Sequence, residues 1–134
     1  MNKLQSQIVE ILLNSLPGVL AVYRFGSWGT PQERRESDID LAVLPLQPLP
    51  PLVRWETAQK LAQMLSRDVD LVDLRAASTV MRSQVIAQGE RLYCRDEAAV
   101  GLFETTVFSA YARLNEERRE ILADIRARGS VYAG

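Results

Sequence analysis

The chain has 134 residues, 47% of them hydrophobic and 25% charged, the length and mix of a single globular domain with its own core. Its 16 Lys and Arg against 17 Asp and Glu leave a net charge of −1, too weak a positive field to hold a long nucleic acid by its phosphates. With no histidine and one cysteine, Cys94, it excludes Ser-His-Asp and Cys-His catalysis, histidine-ligated metals, cysteine clusters and intrachain disulfides. Chemistry must come from carboxylates, hydroxyls, Lys or Arg. The opening residues are polar (Asn2, Lys3, Gln5, Ser6, Gln7) and no apolar run approaches 18 residues, so the expectation is a soluble, cytoplasmic protein without a membrane partner.

Leu4, Ile8, Ile11 and Leu12 recur at helical spacing and predict a first helix that Leu16-Pro17-Gly18 stops. Val19 to Phe25 is a short apolar run bounded by turn residues, hence a buried strand, with Gly26-Ser27 at its exit. Gly29 to Ser37 has no hydrophobic period and reads as an exposed loop. Asp38 to Leu44 is a second strand, ended by Pro45, Pro48, Pro50 and Pro51, which enforce an extended connector. Leu52 to Ser66 is helical, Val69 to Leu74 is a third strand, and Ser78 caps a helix that runs to Gln88 and stops at Gly89. Arg91 to Cys94 adds a short fourth strand, with Cys94 expected to be buried. From about residue 97 to 128 a long last helix carries Val100, Phe103, Val107, Ala110, Tyr111, Leu114, Ile121, Leu122 and Ile125, a stripe expected to be mostly core, with Asn115 to Arg128, dense in charges of both signs, as an exposed part that is either a solvated helix or a docking face for a partner, and Gly129 as its punctuation. The order αβ, βα, βα, βα predicts an α/β (α+β) domain, a small mixed sheet flanked by helices. One domain is expected over 1–134, with its core at about 19–94.

The chemistry concentrates where Gly26-Ser27 is followed, ten residues later, by Asp38-Ile39-Asp40. Side chains alternate along a strand, so Asp38 and Asp40 share one face while Ile39 and Leu41 point into the core. Two carboxylates forced together repel, and one takes up a proton unless a cation sits between them; magnesium, which wants oxygen ligands, suits the pair. A third acid comes from Arg67-Asp68-Val69-Asp70-Leu71-Val72-Asp73. Asp70, inside the strand, is the first choice and Asp68 the second, with Asp68 and Asp73 otherwise solvated near the ends. Three carboxylates with phosphate oxygens can hold two magnesium ions about 4 Å apart, the arrangement used in phosphoryl and nucleotidyl transfer. Gly26 lets backbone approach a phosphate, and Ser27 offers a hydroxyl and an N–H. Trp28 and Trp55 are expected to pack, and Arg34 and Arg35 to be solvated unless they meet a triphosphate or a partner.

These residues resemble the nucleotidyltransferases of the DNA polymerase β superfamily, in particular the minimal, single-domain MNT type. The shared signature of Gly-Ser, spacer, Asp-x-Asp and a later acid falls on Gly26, Ser27, Asp38, Asp40 and Asp70. The likeness spans roughly Val19 to Tyr93, and Trp28 departs from it where relatives carry a smaller, tyrosine-like or basic residue. It implies a polymerase β-like fold, two magnesium ions, ATP as substrate, and transfer of a nucleoside monophosphate to a hydroxyl. In that scheme Asp38 and Asp40 bind both metals, Asp70 binds the catalytic one, and Gly26 and Ser27 hold the triphosphate. The chain further resembles the antitoxins of HEPN/MNT pairs, which implies a HEPN ribonuclease toxin as partner and AMP transfer to one of its tyrosines. Two rival readings are a free-standing transferase for a small hydroxylated molecule and a non-catalytic antitoxin that acts by coverage.

Overall fold

The computed structural model describes residues 1–35 and 37–132, in the order α1 (Lys3–Ser15), β1 (Val19–Phe25), β2 (Ile39–Pro45), α2 (Pro51–Leu65), β3 (Val69–Asp73), α3 (Thr79–Gln88), β4 (Glu90–Cys94) and α4 (Glu97–Tyr132). The expected αβ, βα, βα, βα alternation is therefore the one observed. Asn2 starts α1 by accepting the Gln5 N–H at 2.8 Å, while the Gln5 side chain accepts the Asn2 N–H, two otherwise unpaired donors satisfied at once. Ser78 caps α3 in the same manner, accepting from the Met81 N–H. Gly89 does end α3, but with an extended φ of −83°. Glycine stands there because a Cβ would strike the carbonyls of Arg24 and Val85.

The four strands pair in the order β3-β2-β1-β4, antiparallel except for β2 and β3, which run parallel. Each sheet face has its own core. On one side Val19, Val22, Ile39, Leu41, Val43 and Leu71 pack against Ile8 and Leu12 of α1 and Leu61 of α2. On the other, Ala21, Tyr23, Ala42 and Leu44 meet Val85 of α3 and Val100 of α4. The odd positions of β2 thus face α1 and α2, and the even positions face α3 and α4. Asp40, an even position, lies on the α3/α4 face.

Among the described residues, the side-chain ties that hold α4 to the body fall in its first half. Tyr23 donates to Glu104 at 2.8 Å, Arg91 bridges Glu104 and Glu97, and the Arg75 and Arg82 guanidinium groups lie 5.3 and 5.8 Å from the Phe103 ring centre. Burial, followed by the Glu104 carboxylate, pushes the Tyr23 hydroxyl far above the ordinary phenol range. The apolar stripe is not mostly core: Val100 and Val107 are buried, whereas Ile121, Leu122 and Ile125 are 59%, 46% and 56% exposed. At 1.5 Å per residue the helix reaches about 54 Å, longer than the sheet it leaves. It also runs through Gly129 without a break.

Further expectations change for identifiable reasons. Asp73 is buried, not solvated, because its carboxylate accepts the Leu49 N–H at 2.7 Å and the Arg75 N–H at 2.8 Å and so ties the proline-rich connector to the end of β3. Trp55 does not pack; it is 59% exposed on α2. Cys94 is half-buried. No helix among the described residues is long and apolar enough to cross a membrane.

Candidate active site

The turn after β1 is built around what a side chain would obstruct. Gly26 has φ +68°, and a Cβ on it would run into the Asp40 carboxylate, so both conformation and space require glycine. The turn closes when Thr30 donates its N–H, at 3.0 Å, and its hydroxyl, at 2.5 Å, to the Ser27 carbonyl. Beneath it lies Arg24, which donates to the Trp28 carbonyl at 3.2 Å and pairs with Glu90 at 3.1 Å. Trp28 points away from the surface into the α1/α2 core at 4% exposure, which makes it a packing residue.

The sheet register then gathers the acids. Phe25 at the end of β1 pairs with Asp40 in β2, and Asp40 pairs across the parallel ladder with Asp70 in β3. Phe25, Asp40 and Asp70 therefore lie on one line across three strands, and Gly26, the residue after Phe25, stands against the Asp40 carboxylate. Asp38, one residue outside β2, is exposed and shares the strand-alternation side of Asp40; Ile39 and Leu41 between and after them are fully buried, as expected. Of the two candidates at β3, Asp70 stands beside Asp40, whereas Asp68 lies two residues earlier, just before the strand, and gives its carbonyl to the Ile39 N–H at 2.9 Å.

Burial, then the charges of Asp70 and Asp38, raise the Asp40 carboxyl above the usual carboxylate range. No ion pair among the described residues reaches these acids; the acidic partners in those pairs are Glu33, Glu90, Glu97, Glu104 and Asp124. Nor are three His, Cys, Asp or Glu side chains among the described residues already gathered as a metal cage. Asp40 flanked by Asp70 and Asp38 without a counter-charge is an open, mutually repelling set, and divalent cations with oxygen preference relieve such repulsion best. The donor chemistry fits magnesium.

A model of the family described as polymerase beta, nucleotidyltransferase, matches residues 6–98, a span that contains every one of these residues. The chain belongs to this family. Among the relatives of this nucleotidyltransferase, the protein adenylyltransferase MntA of Shewanella oneidensis is 41% identical over 129 residues, 96% of this chain and 92% of that one. A chain in the crystal structure of a toxin-antitoxin with AMP-PNP is 42% identical and superposes with a TM-score of 0.82, over 90% of this chain and 97% of that one. A chain in the structure of tri-AMPylated Shewanella oneidensis HEPN toxin in complex with MNT antitoxin is 41% identical, with a TM-score of 0.77 over 90% of this chain and 94% of the other.

Two arginines that brace the turns around the site escaped the sequence reading. Arg24 sits inside an apolar strand and Arg67 in a short inter-element turn, and neither position carries a periodic or motif signal. The detectable hint is adjacency alone: Arg24 lies two residues before Gly26, and Arg67 directly before Asp68.

Proposed function

We propose that this nucleotidyltransferase is a protein adenylyltransferase antitoxin, which moves AMP from ATP to a tyrosine hydroxyl of a cognate HEPN ribonuclease toxin and neutralises the toxin by that modification. The reading is carried by the register that sets Asp70 beside Asp40, with Gly26 against the Asp40 carboxylate and Asp38 next to it, in a chain whose relatives include a protein adenylyltransferase and a chain from an AMPylated toxin complex. Asp38, Asp40 and Asp70 would hold magnesium, which when bound neutralises triphosphate charge and makes a coordinated hydroxyl easier to deprotonate.

The chain's own residues supply the rest. The bare Gly26 backbone admits a phosphate close to the strand end, and Ser27 offers an N–H and a hydroxyl to its oxygens. Asp70, exposed at the sheet margin, accepts the proton of the incoming tyrosine hydroxyl. The tyrosine oxygen then bonds to the α-phosphorus, the bond to the bridging oxygen breaks, and pyrophosphate departs. The acids stand at an open edge of a 134-residue chain, so a protein that brings its own surface is a better acceptor than a small molecule needing an enclosed pocket.

The test is incubation with ATP labelled at the α-phosphate, magnesium and the product of the neighbouring gene. Label is expected on that partner's tyrosine with the native chain and absent with Asp38→Asn/Asp40→Asn. Undiminished labelling by the double variant refutes the site; protection from toxicity by the unlabelling variant refutes modification as the means of neutralisation.

A further inference from the structure

Asp38 differs from the other two acids in how it is held. Asp40 and Asp70 are inside strands, fixed by the ladder and by buried neighbours on either side of Asp40. Asp38 is outside β2, at the end of a spacer whose residues Pro31 to Arg35 are all exposed. Such a segment has little packing to fix it.

Its position is set by the turn between α2 and β3. Ser66 adopts a left-handed φ of +52° as the cap of α2, and the chain reverses so that Arg67 donates its N–H back to the Ala62 carbonyl at 3.3 Å. From there the Arg67 guanidinium donates through Nε at 3.0 Å and Nη2 at 2.5 Å to one acceptor, the Ser37 carbonyl, and through Nη1 at 3.4 Å to Glu33. The next residue, Asp68, accepts the Ile39 N–H at 2.9 Å. The residues immediately before and after Asp38 are thus both gripped by the dipeptide 67–68. Ser37 is itself built into a tight turn, with its hydroxyl accepting from Arg34 N–H at 2.9 Å and its N–H donating to the Arg34 carbonyl at 3.0 Å.

We infer that Arg67 is a positioning residue for nucleotidyl transfer, holding the spacer loop through the Ser37 carbonyl so that Asp38 is presented beside Asp40. The inference rests on the proposed role of Asp38. Two donors of one planar guanidinium converge on the carbonyl, a geometry that a lysine ammonium cannot reproduce. The Glu33 pair is longer and more exposed, so it contributes little by comparison.

The experiment compares Arg67→Ala, Arg67→Lys, Glu33→Gln and Asp38→Asn. It reads AMP transfer, melting temperature, and cleavage of the metal-free protein by trypsin after Arg34 and Arg35. Arg67→Ala should lose about 10- to 100-fold in kcat, the usual range for a residue that orients a metal-binding carboxylate. Its KM for ATP should stay within about threefold, because the triphosphate contacts lie at Gly26 and Ser27. Cleavage at the spacer should quicken at least tenfold as the loop comes free. Arg67→Lys should fall between Arg67→Ala and the native chain, guarding against a folding defect, and Glu33→Gln should stay within about twofold.

Transfer by Arg67→Ala within twofold of native, in a protein that Asp38→Asn inactivates, overturns the inference while leaving the site intact. A fall in kcat with unchanged cleavage also overturns it, because Arg67 would then act on the reactants and not through the loop. Native transfer by Asp38→Asn overturns the site reading first, and the inference with it.

Discussion

Replacing Asp40 by Asn should stabilise the protein while ending its activity. Asparagine has the shape of aspartate but no charge, and no ion pair among the described residues is lost with it. What disappears is repulsion. Asp40 and Asp70 are direct partners on adjacent parallel strands, which lie about 4.8 Å apart. Two unit charges about 5 Å apart cost about 3 kcal/mol at an effective dielectric of 20 and about 1 kcal/mol in water. Asp40 is half-buried and Asp70 exposed, so the lower figure applies, and a chain of this size should melt about 4 °C higher.

The pH dependence follows from the raised Asp40 carboxyl. The native state keeps that proton to a higher pH than the unfolded chain does. Its contribution to stability is fully present below the ordinary carboxylate pKa of about 3.9 and is lost as pH rises through Asp40's own value. The advantage of asparagine should therefore vanish near pH 3 and be complete at pH 7. Calorimetry of both proteins in EDTA across this range is the assay. Magnesium should then raise the melting temperature of the native chain and leave that of the variant unchanged, since only the native acids bind it. A variant that melts at or below the native temperature at pH 7 in EDTA refutes the argument that these acids repel one another.

Gly26→Ala should cost about 1–2 kcal/mol from the left-handed conformation alone, and displacement of the Asp40 carboxylate by the new Cβ should abolish transfer; calorimetry and the labelling assay read the two effects. Tyr23→Phe removes the 2.8 Å bond to Glu104, which keeps Arg91, so a loss of about 1 kcal/mol in denaturant unfolding is expected, with transfer unchanged. Leu41→Ala, at a fully buried site in β2, should cost about 2–5 kcal/mol by the same measurement. Truncation after Asn115 removes only exposed side chains among the described residues, so the melting temperature should move by less than about 2 °C.

The elements were legible because their signals are local. Alternation at β2, helical spacing in α1 and turn residues at Pro17-Gly18 need nothing beyond a few neighbouring positions. Gly26-Ser27 and Asp38-x-Asp40 were legible for the same reason. Strand order was not, since nothing in a strand's own residues says which partner it takes, and only the β2–β3 register shows that Asp70 is the acid directly beside Asp40. Asp73 illustrates the limit well. From sequence it is one more acid near a strand end, and only the fold brings the Leu49 N–H, 24 residues earlier, against it. Trp55 and the distal stripe of α4 failed in the opposite sense: helical periodicity says which residues share a face and is silent on whether that face finds a neighbour.

That silence matters most for how a chain this short can select an acceptor. The polymerase beta match ends at residue 98, where α4 is just beginning. The first half of α4 is fastened to the α3/α4 face through Val100, Phe103, Glu104 and Val107, the same face of the sheet on which Asp40 lies. The second half carries Ile121, Leu122 and Ile125 into solvent with charges of both signs around them. The helix is therefore tied to the sheet over its first turns and leaves it beyond them. The truncation after Asn115 separates their contributions: an unchanged melting temperature with unchanged labelling of the partner would mean that the acid edge alone selects the acceptor. Unchanged stability with labelling lost would place selection on the distal helix, tens of ångströms along α4, and leave to Asp38, Asp40 and Asp70 the chemistry alone.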